Sequence, residues 1–160
     1  MTDTPIIMRE QQYGRIITVL SKLRLDSSSR VVFLVDKNGQ EIAVQGEVGG
    51  LDTTSLASLA AGNVAATGGM AQLIGEKEFP TLSHEGERES IHISIIGRTL
   101  LVVVFDDRSS LGLIKLRVKQ AARELSLILA EVERRAAERR ASDEALFNEI
   151  TDEDIDSLFN

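Results

Sequence analysis

The sequence contains no cysteine and no tryptophan, and only two histidines and two prolines in 160 residues. Without cysteine there are no disulfides and no thiolate metal sites, and a reducing compartment is the natural setting. Two histidines do not supply a multi-histidine cage, so neither metal nor cofactor is expected. Aromatic residues make up 4% of the chain, too few for the stacking platforms that hold single-stranded nucleic acid. The segment Met1 to Met8 lacks the basic start and long apolar run of a secretion signal, which points to a cytoplasmic protein. Residues 53–75 carry no charge, a length that invites comparison with a membrane span. They include Ser55, Ser58, Asn63, Thr67, Gln72 and four glycines, a poor composition for hydrocarbon. The reading is a helix buried in protein.

The net charge is −7, and it is concentrated at one end. Residues 141–160 hold seven acids (Asp143, Glu144, Glu149, Asp152, Glu153, Asp154, Asp156) and no base, so the remainder is neutral. Residues 108–140 hold nine bases against four acids. An acidic appendage of this kind can touch a basic partner, touch its own basic helix, or simply remain solvated. An overall acidic chain gains little from counterion release, which argues against nucleic acid as a ligand.

Met8, Ile16, Val19, Leu20 and Leu23 fall at helical spacing and predict an amphipathic helix over 8–25, broken by Asp26-Ser27-Ser28-Ser29. Val31 to Val35 is a short apolar run of the kind buried on both faces of a sheet. Asn38-Gly39 supplies the positive φ angles of a hairpin, with a return strand over Glu41 to Gln45. A helix follows from Asp52-Thr53-Thr54-Ser55, which offers N-cap candidates. Phe79 to His84 is a weak strand that Pro80 pushes to an edge. Ser90 to Ile95 alternates strictly, Gly97-Arg98 turns the chain, and Leu100 to Phe105 is another buried strand. A last helix runs from about Leu111 to Ala141 and becomes wholly polar after Val132, so its end projects into solvent.

This predicts an α+β sandwich, α-β-β-α-β-β-β-α, with a five-stranded antiparallel sheet between the middle helix and the two terminal helices. One domain spans residues 1–140, and 141–160 form an acidic flexible tail. Within that tail Phe147, Ile150, Ile155, Leu158 and Phe159 are spaced for a short amphipathic partner-binding segment, starting at Ser142 or Thr151. A dispensable end is the competing reading.

The middle helix carries the functional signal. At 100° per residue Thr54, Ala57, Ala61, Ala65, Gly68 and Gln72 share a sector of about 80°, flanked by Ser58 and Gly69. Leu56, Leu59, Met70, Leu73 and Ile74 lie roughly opposite. The expected arrangement puts the large residues in the core and offers the smooth face to a partner, since small residues admit a close backbone. Alternatively, the smooth face lies against the sheet.

No Gly-x-x-x-x-Gly-Lys-[Ser/Thr] occurs, so the chain is not itself a P-loop GTPase. No nucleophile elbow or metal-ligand spacing appears, and His84 and His92 read as strand residues.

This element order resembles the Roadblock/dynein light-chain family, relatives of the longin and profilin-like folds. The likeness is closest to the MglB branch in particular residues: Val31-Val32-Phe33-Leu34-Val35-Asp36-Lys37-Asn38-Gly39, Asp52 to Leu59, and Gly62-Asn63-Val64-Ala65-Ala66. Leu73-Ile74-Gly75-Glu76, His84-Glu85-Gly86, Val103-Val104-Phe105-Asp106, Ser110 to Leu113 and the terminal Glu149 to Phe159 extend it. The resemblance implies a homodimeric activator of a GTP-bound, MglA-type Ras-like GTPase in cell polarity and motility, placed in the cytoplasm at a cell pole. It implies that paired middle helices receive the GTPase at Thr54, Ala57, Ala61, Ala65 and Gly69. It also implies that the tail meets the GTPase at a face away from this platform. Such activators insert no arginine finger, so no catalytic residue is assigned, although Arg30, Arg88, Arg98 and Arg108 lie near turns. A scaffold that tethers a GTPase without changing its rate is the alternative, and an enzyme acting on a small molecule lacks any constellation to support it.

Overall fold

The computed structural model describes residues 9–150 and 152–159. Met8, predicted at the start of the first helix, and Thr151 lie outside the described residues. Helix α1 (Glu10–Ser27) leads into strands β1 (Val31–Asp36) and β2 (Glu41–Gly46), helix α2 (Thr53–Leu73) and strands β3 (Thr81–Glu85), β4 (Ser90–Ile96) and β5 (Thr99–Phe105). Helix α3 (Leu111–Asn148) and a short α4 (Asp152–Phe159) complete the chain. The five strands form one antiparallel sheet in the order β2-β1-β5-β4-β3.

The two continuous apolar runs occupy the middle of this sheet because only there are both faces covered. Every residue of β1 and of β5 is buried. On one face Val32, Leu34, Leu101, Val103 and Phe105 meet Ile16, Leu20 and Leu23 of α1 and Ile114, Leu125 and Ile128 of α3. On the other, Val31, Phe33, Val35, Leu100 and Val102 meet α2. The alternation of β4 follows from the same division: Ile91, Ile93 and Ile95 turn to α2, whereas His92 and Ser94 pair with Val103 and Leu101 and share their face.

Three local expectations change. Helix α1 continues through Asp26 and Ser27, because the Ser27 hydroxyl donates to the Leu23 carbonyl and Ser28 ends the helix in the left-handed region at φ 53°. The β1–β2 turn needs one positive φ, at Gly39, and not two; Asp36 Oδ1 accepts from the backbone of Asn38 and Gln40 and closes the loop. Helix α3 continues to Asn148, so residues 141–148, expected to follow it, form its last two turns. Alanine, glutamate and arginine favour helix without tertiary support, and no glycine or proline interrupts residues 113–148.

Gly46 ends β2 at φ 125°, and a Cβ there would collide with the Arg30 carbonyl oxygen. Gly46→Ala is therefore expected to destabilise the protein by about 2 kcal/mol through backbone strain and loss of this close approach. Equilibrium urea unfolding checks this.

His92 is buried, and its Nδ1 lies 2.8 Å from the Ser83 hydroxyl. Burial holds the imidazole below its ordinary pKa, and the Lys115 ammonium adds to the effect. The unfolded chain therefore takes up this proton first. The stability this group contributes is present above about pH 6.5 and is lost as pH falls through that value towards the folded pKa. His92→Leu should flatten the decline in stability between neutral and mildly acidic pH, measured by urea unfolding at each pH.

Candidate protein-binding face

Helix α2 starts cleanly because Asp52 caps it: Oδ1 accepts from the Ser55 amide at 3.0 Å and Oδ2 from the Ser55 hydroxyl at 2.6 Å. Both bonds favour the ionised carboxylate and lower its pKa. The helix ends where Glu76 N–H donates to the Ala71 carbonyl and Gly75 N–H to that of Gln72, with Gly75 at φ 83°. Between these caps, twenty-one residues span about 31 Å.

The structure turns α2 differently from the sequence-based expectation. Ala57, Ala60, Ala61 and Ala71 are the buried residues of the helix, and the first three pack on the sheet. Ala57 and Ala61, expected to face a partner, are therefore unavailable to one. Leu59, Met70 and Leu73, expected in the core, are 70%, 61% and 88% exposed, and Ile74 is exposed as well. Only Leu56, of the five large residues assigned to the core, packs at its margin. The reason is volume. The sheet already presents Val31, Phe33, Val35, Leu100 and Val102 to this layer, and those large side chains leave room for methyl groups opposite them.

Thr54, Ser58, Ala65, Gly69 and Gln72 remain exposed, and Gly68 is half-buried. They share the solvent side with Leu59, Gly62, Ala66, Met70 and Leu73, which the sequence pattern did not place there. The face has small residues down its middle, larger apolar ones along its flank, and no charge anywhere. The charge-free run of residues 53–75 was the available signal. Edge strand β3 lies beside it, tied to α2 by a 3.3 Å contact between His84 Nε2 and Asn63 Oδ1.

A Cβ at Gly62, Gly68 or Gly69 would meet nothing within 4 Å, and none of the three has a positive φ. The fold itself does not require glycine there. Gly69→Ala should stabilise the chain by about 0.5–1 kcal/mol, from helix propensity and reduced unfolded-state entropy. Thermal unfolding measures it.

Of the four arginines near turns, three hold carboxylates. Arg30 grips Glu89 through two contacts at 2.7 and 2.9 Å, Arg98 meets Glu133 at 2.8 Å, and Arg108 bridges Asp106 and Glu47. Hydrogen bonds and charge from Arg108 lower the pKa of Glu47 and Asp106, and both carboxylates raise that of Arg108. Among the described residues no cluster of three or more histidines, aspartates or glutamates could hold a metal ion. No helix among them is long and apolar enough to cross a membrane.

The tail residues are separate from this face. Phe147 lies in the last turn of α3, Ile150 follows the helix, and Ile155, Leu158 and Phe159 lie on α4, all exposed. The buried residues of α3 cover the opposite side of the sheet from α2.

A two-sided sheet with one helix on one face and two on the other is the Roadblock/LC7 arrangement, and the Roadblock/LC7 domain matches residues 16–105. The chain belongs to the Roadblock/LC7 family. It is similar to MglB of Myxococcus xanthus, with 52% identity, 79% of this chain and 96% of that one covered, and a TM-score of 0.74. The gliding protein MglB of Thermus thermophilus is 32% identical over 81% of this chain and 99% of its own, with a TM-score of 0.76. An MglB with a tetrameric arrangement is also 32% identical, covering 82% and 99%, with a TM-score of 0.77. No curated protein gave a match to the chain.

Proposed function

We propose that this chain is a GTPase-activating regulator of an MglA-type Ras-like GTPase, acting as a homodimer in bacterial cell polarity and motility. The observation that carries the reading is the uncharged, small-residue face of α2 beside the β3 edge. Such a face admits another backbone closely and carries no charge to desolvate on contact. The similarity to MglB, including one relative described as a gliding protein, supports the assignment. The solved tetrameric arrangement of another relative supports self-association.

The platform is the exposed set Thr54, Ser58, Ala65, Gly69 and Gln72, joined by Leu59, Gly62, Met70 and Leu73. Gly68 sits at its margin. The chain supplies no active site of its own. It holds the switch regions of the GTPase so that groups already present there align with the attacking water. The ion pairs of Arg30, Arg98 and Arg108 support a mechanism without an inserted arginine. Alanine at Arg30, Arg88, Arg98 or Arg108 should accordingly leave stimulation within about twofold. Removing a true finger would cost about 10³-fold or more, and single-turnover hydrolysis separates the two.

The test of the function is GTP hydrolysis by the cognate GTPase over a titration of the full chain. Stimulation that saturates at two chains per GTPase is the expected result. A complex without stimulation would make the protein a tethering scaffold, and absence of binding would overturn the reading.

A further inference from the structure

The turn that joins β1 to β2 carries a reactive pair, Asn38-Gly39. An asparagine side chain is open to attack by the next backbone nitrogen when glycine follows, because glycine brings no Cβ to shield it. The Asn38 side chain is exposed and has no hydrogen-bond partner among the described residues. Its carboxamide carbon, the electrophile, is therefore available.

The nucleophile is held. Every amide from Asp36 to Gln40 is hydrogen-bonded. Asp36 N–H donates to the Gln40 carbonyl at 2.9 Å, Lys37 N–H to that of Arg98 at 3.1 Å, and Gly39 N–H to that of Asp36 at 3.0 Å. Asp36 Oδ1 accepts from the Asn38 and Gln40 amides at 2.9 and 3.0 Å. Gly39 is buried against α2, where a Cβ would lie 3.1 Å from Ser58 Cα. For Gly39 N to reach Asn38 Cγ, its amide must leave the Asp36 carbonyl and Asn38 must turn away from Oδ1.

We propose that Asn38-Gly39 is a latent deamidation site that Asp36 holds closed. When the turn opens, Gly39 N gives its proton to water and attacks Asn38 Cγ. The N–Cγ bond forms, the Cγ–Nδ2 bond breaks, and ammonia leaves. Water then opens the succinimide at either carbonyl to give aspartate or isoaspartate, with no change in oxidation state. Isoaspartate routes the main chain through Cγ, one carbon longer, and a turn so lengthened no longer seats Gly39 on Ser58. Ser58 lies on the proposed platform, so the change reaches the contact face, a consequence that rests on that reading. The site itself is tested without any GTPase.

Peptide mapping by mass spectrometry follows the exchange of the Asn38 carboxamide for a carboxyl in the full-length protein at mildly alkaline pH. Conversion in the folded protein should be at least about tenfold slower than in the same chain unfolded in guanidinium chloride, since only opened turns react. Asp36→Ala should bring the folded rate to within about threefold of the unfolded one, whereas Asp36→Asn, which keeps an acceptor oxygen, should stay slow. Gly46→Ala, destabilised at the far end of the hairpin and brought by urea to the same folded fraction as Asp36→Ala, should also stay slow. That comparison separates opening of the turn from unfolding of the chain. Equal rates in the folded and unfolded protein would overturn the proposal. So would an unfolded chain that does not convert at Asn38, or a Gly46→Ala protein as fast as Asp36→Ala.

Discussion

Replacing Ala65 by arginine is expected to leave the protein folded and to cost it the proposed stimulation of the GTPase. Ala65 lies on the exposed face of α2, where arginine has nearly the helix propensity of alanine and its guanidinium remains in water. Stability should therefore change by no more than about 0.5 kcal/mol. In the complex the same side chain must either be desolvated without a counter-charge or hold the GTPase away. At about 3 kcal/mol this is a loss of roughly a hundredfold in apparent affinity. The variant is checked by thermal unfolding and by hydrolysis over a titration wide enough to expose a hundredfold shift. A folded variant that stimulates normally would remove this face from the mechanism.

The same substitution at Ala57 should unfold the protein. Ala57 is fully buried and packs in the layer that holds Val31, Phe33, Val35, Leu100 and Val102. Arginine there is too large for the space, and overpacking costs about 1–3 kcal/mol by itself. Its charge, taken from water with no acid within that layer, adds several more. A total above about 4 kcal/mol is a large part of the 5–15 kcal/mol that holds an ordinary domain together. In urea the midpoint should fall by roughly 2 M, or the folded state should vanish. A native-like transition in Ala57→Arg would mean that α2 presents Ala57 to solvent. The contrast between two alanines on one helix tests the orientation of α2 separately from its function.

The orientation of that helix marks the boundary of what the sequence makes legible. The strands are readable because burial on both faces writes itself as the runs Val31–Val35 and Leu100–Phe105, and the edge position of β3 is readable from Pro80. The alternation of β4 is readable too, although its cause is two differently packed faces. The facing of α2 is not readable from its own residues. A helix with one smooth and one bulky apolar side suggests that the bulky side is the core, and here the sheet opposite supplies the bulk. Information about volume resides in β1 and β5, so the helix alone cannot disclose it. For the same reason the exposure of Leu59, Gly62, Met70 and Leu73 is missed, and so is the burial of Ala57 and Ala61. The end of α3 is missed because a polar, alanine-rich helix gives no apolar periodicity to follow.

Whether α2 is the surface that receives the proposed GTPase is tested most directly by hydrogen–deuterium exchange of the chain with and without a GTP-loaded MglA-type GTPase. The expected result is slowed exchange across residues 53–73 and the adjoining β3 edge, present with the GTP form and weak with the GDP form. Protection confined to α1 and α3, with α2 unchanged, would contradict it.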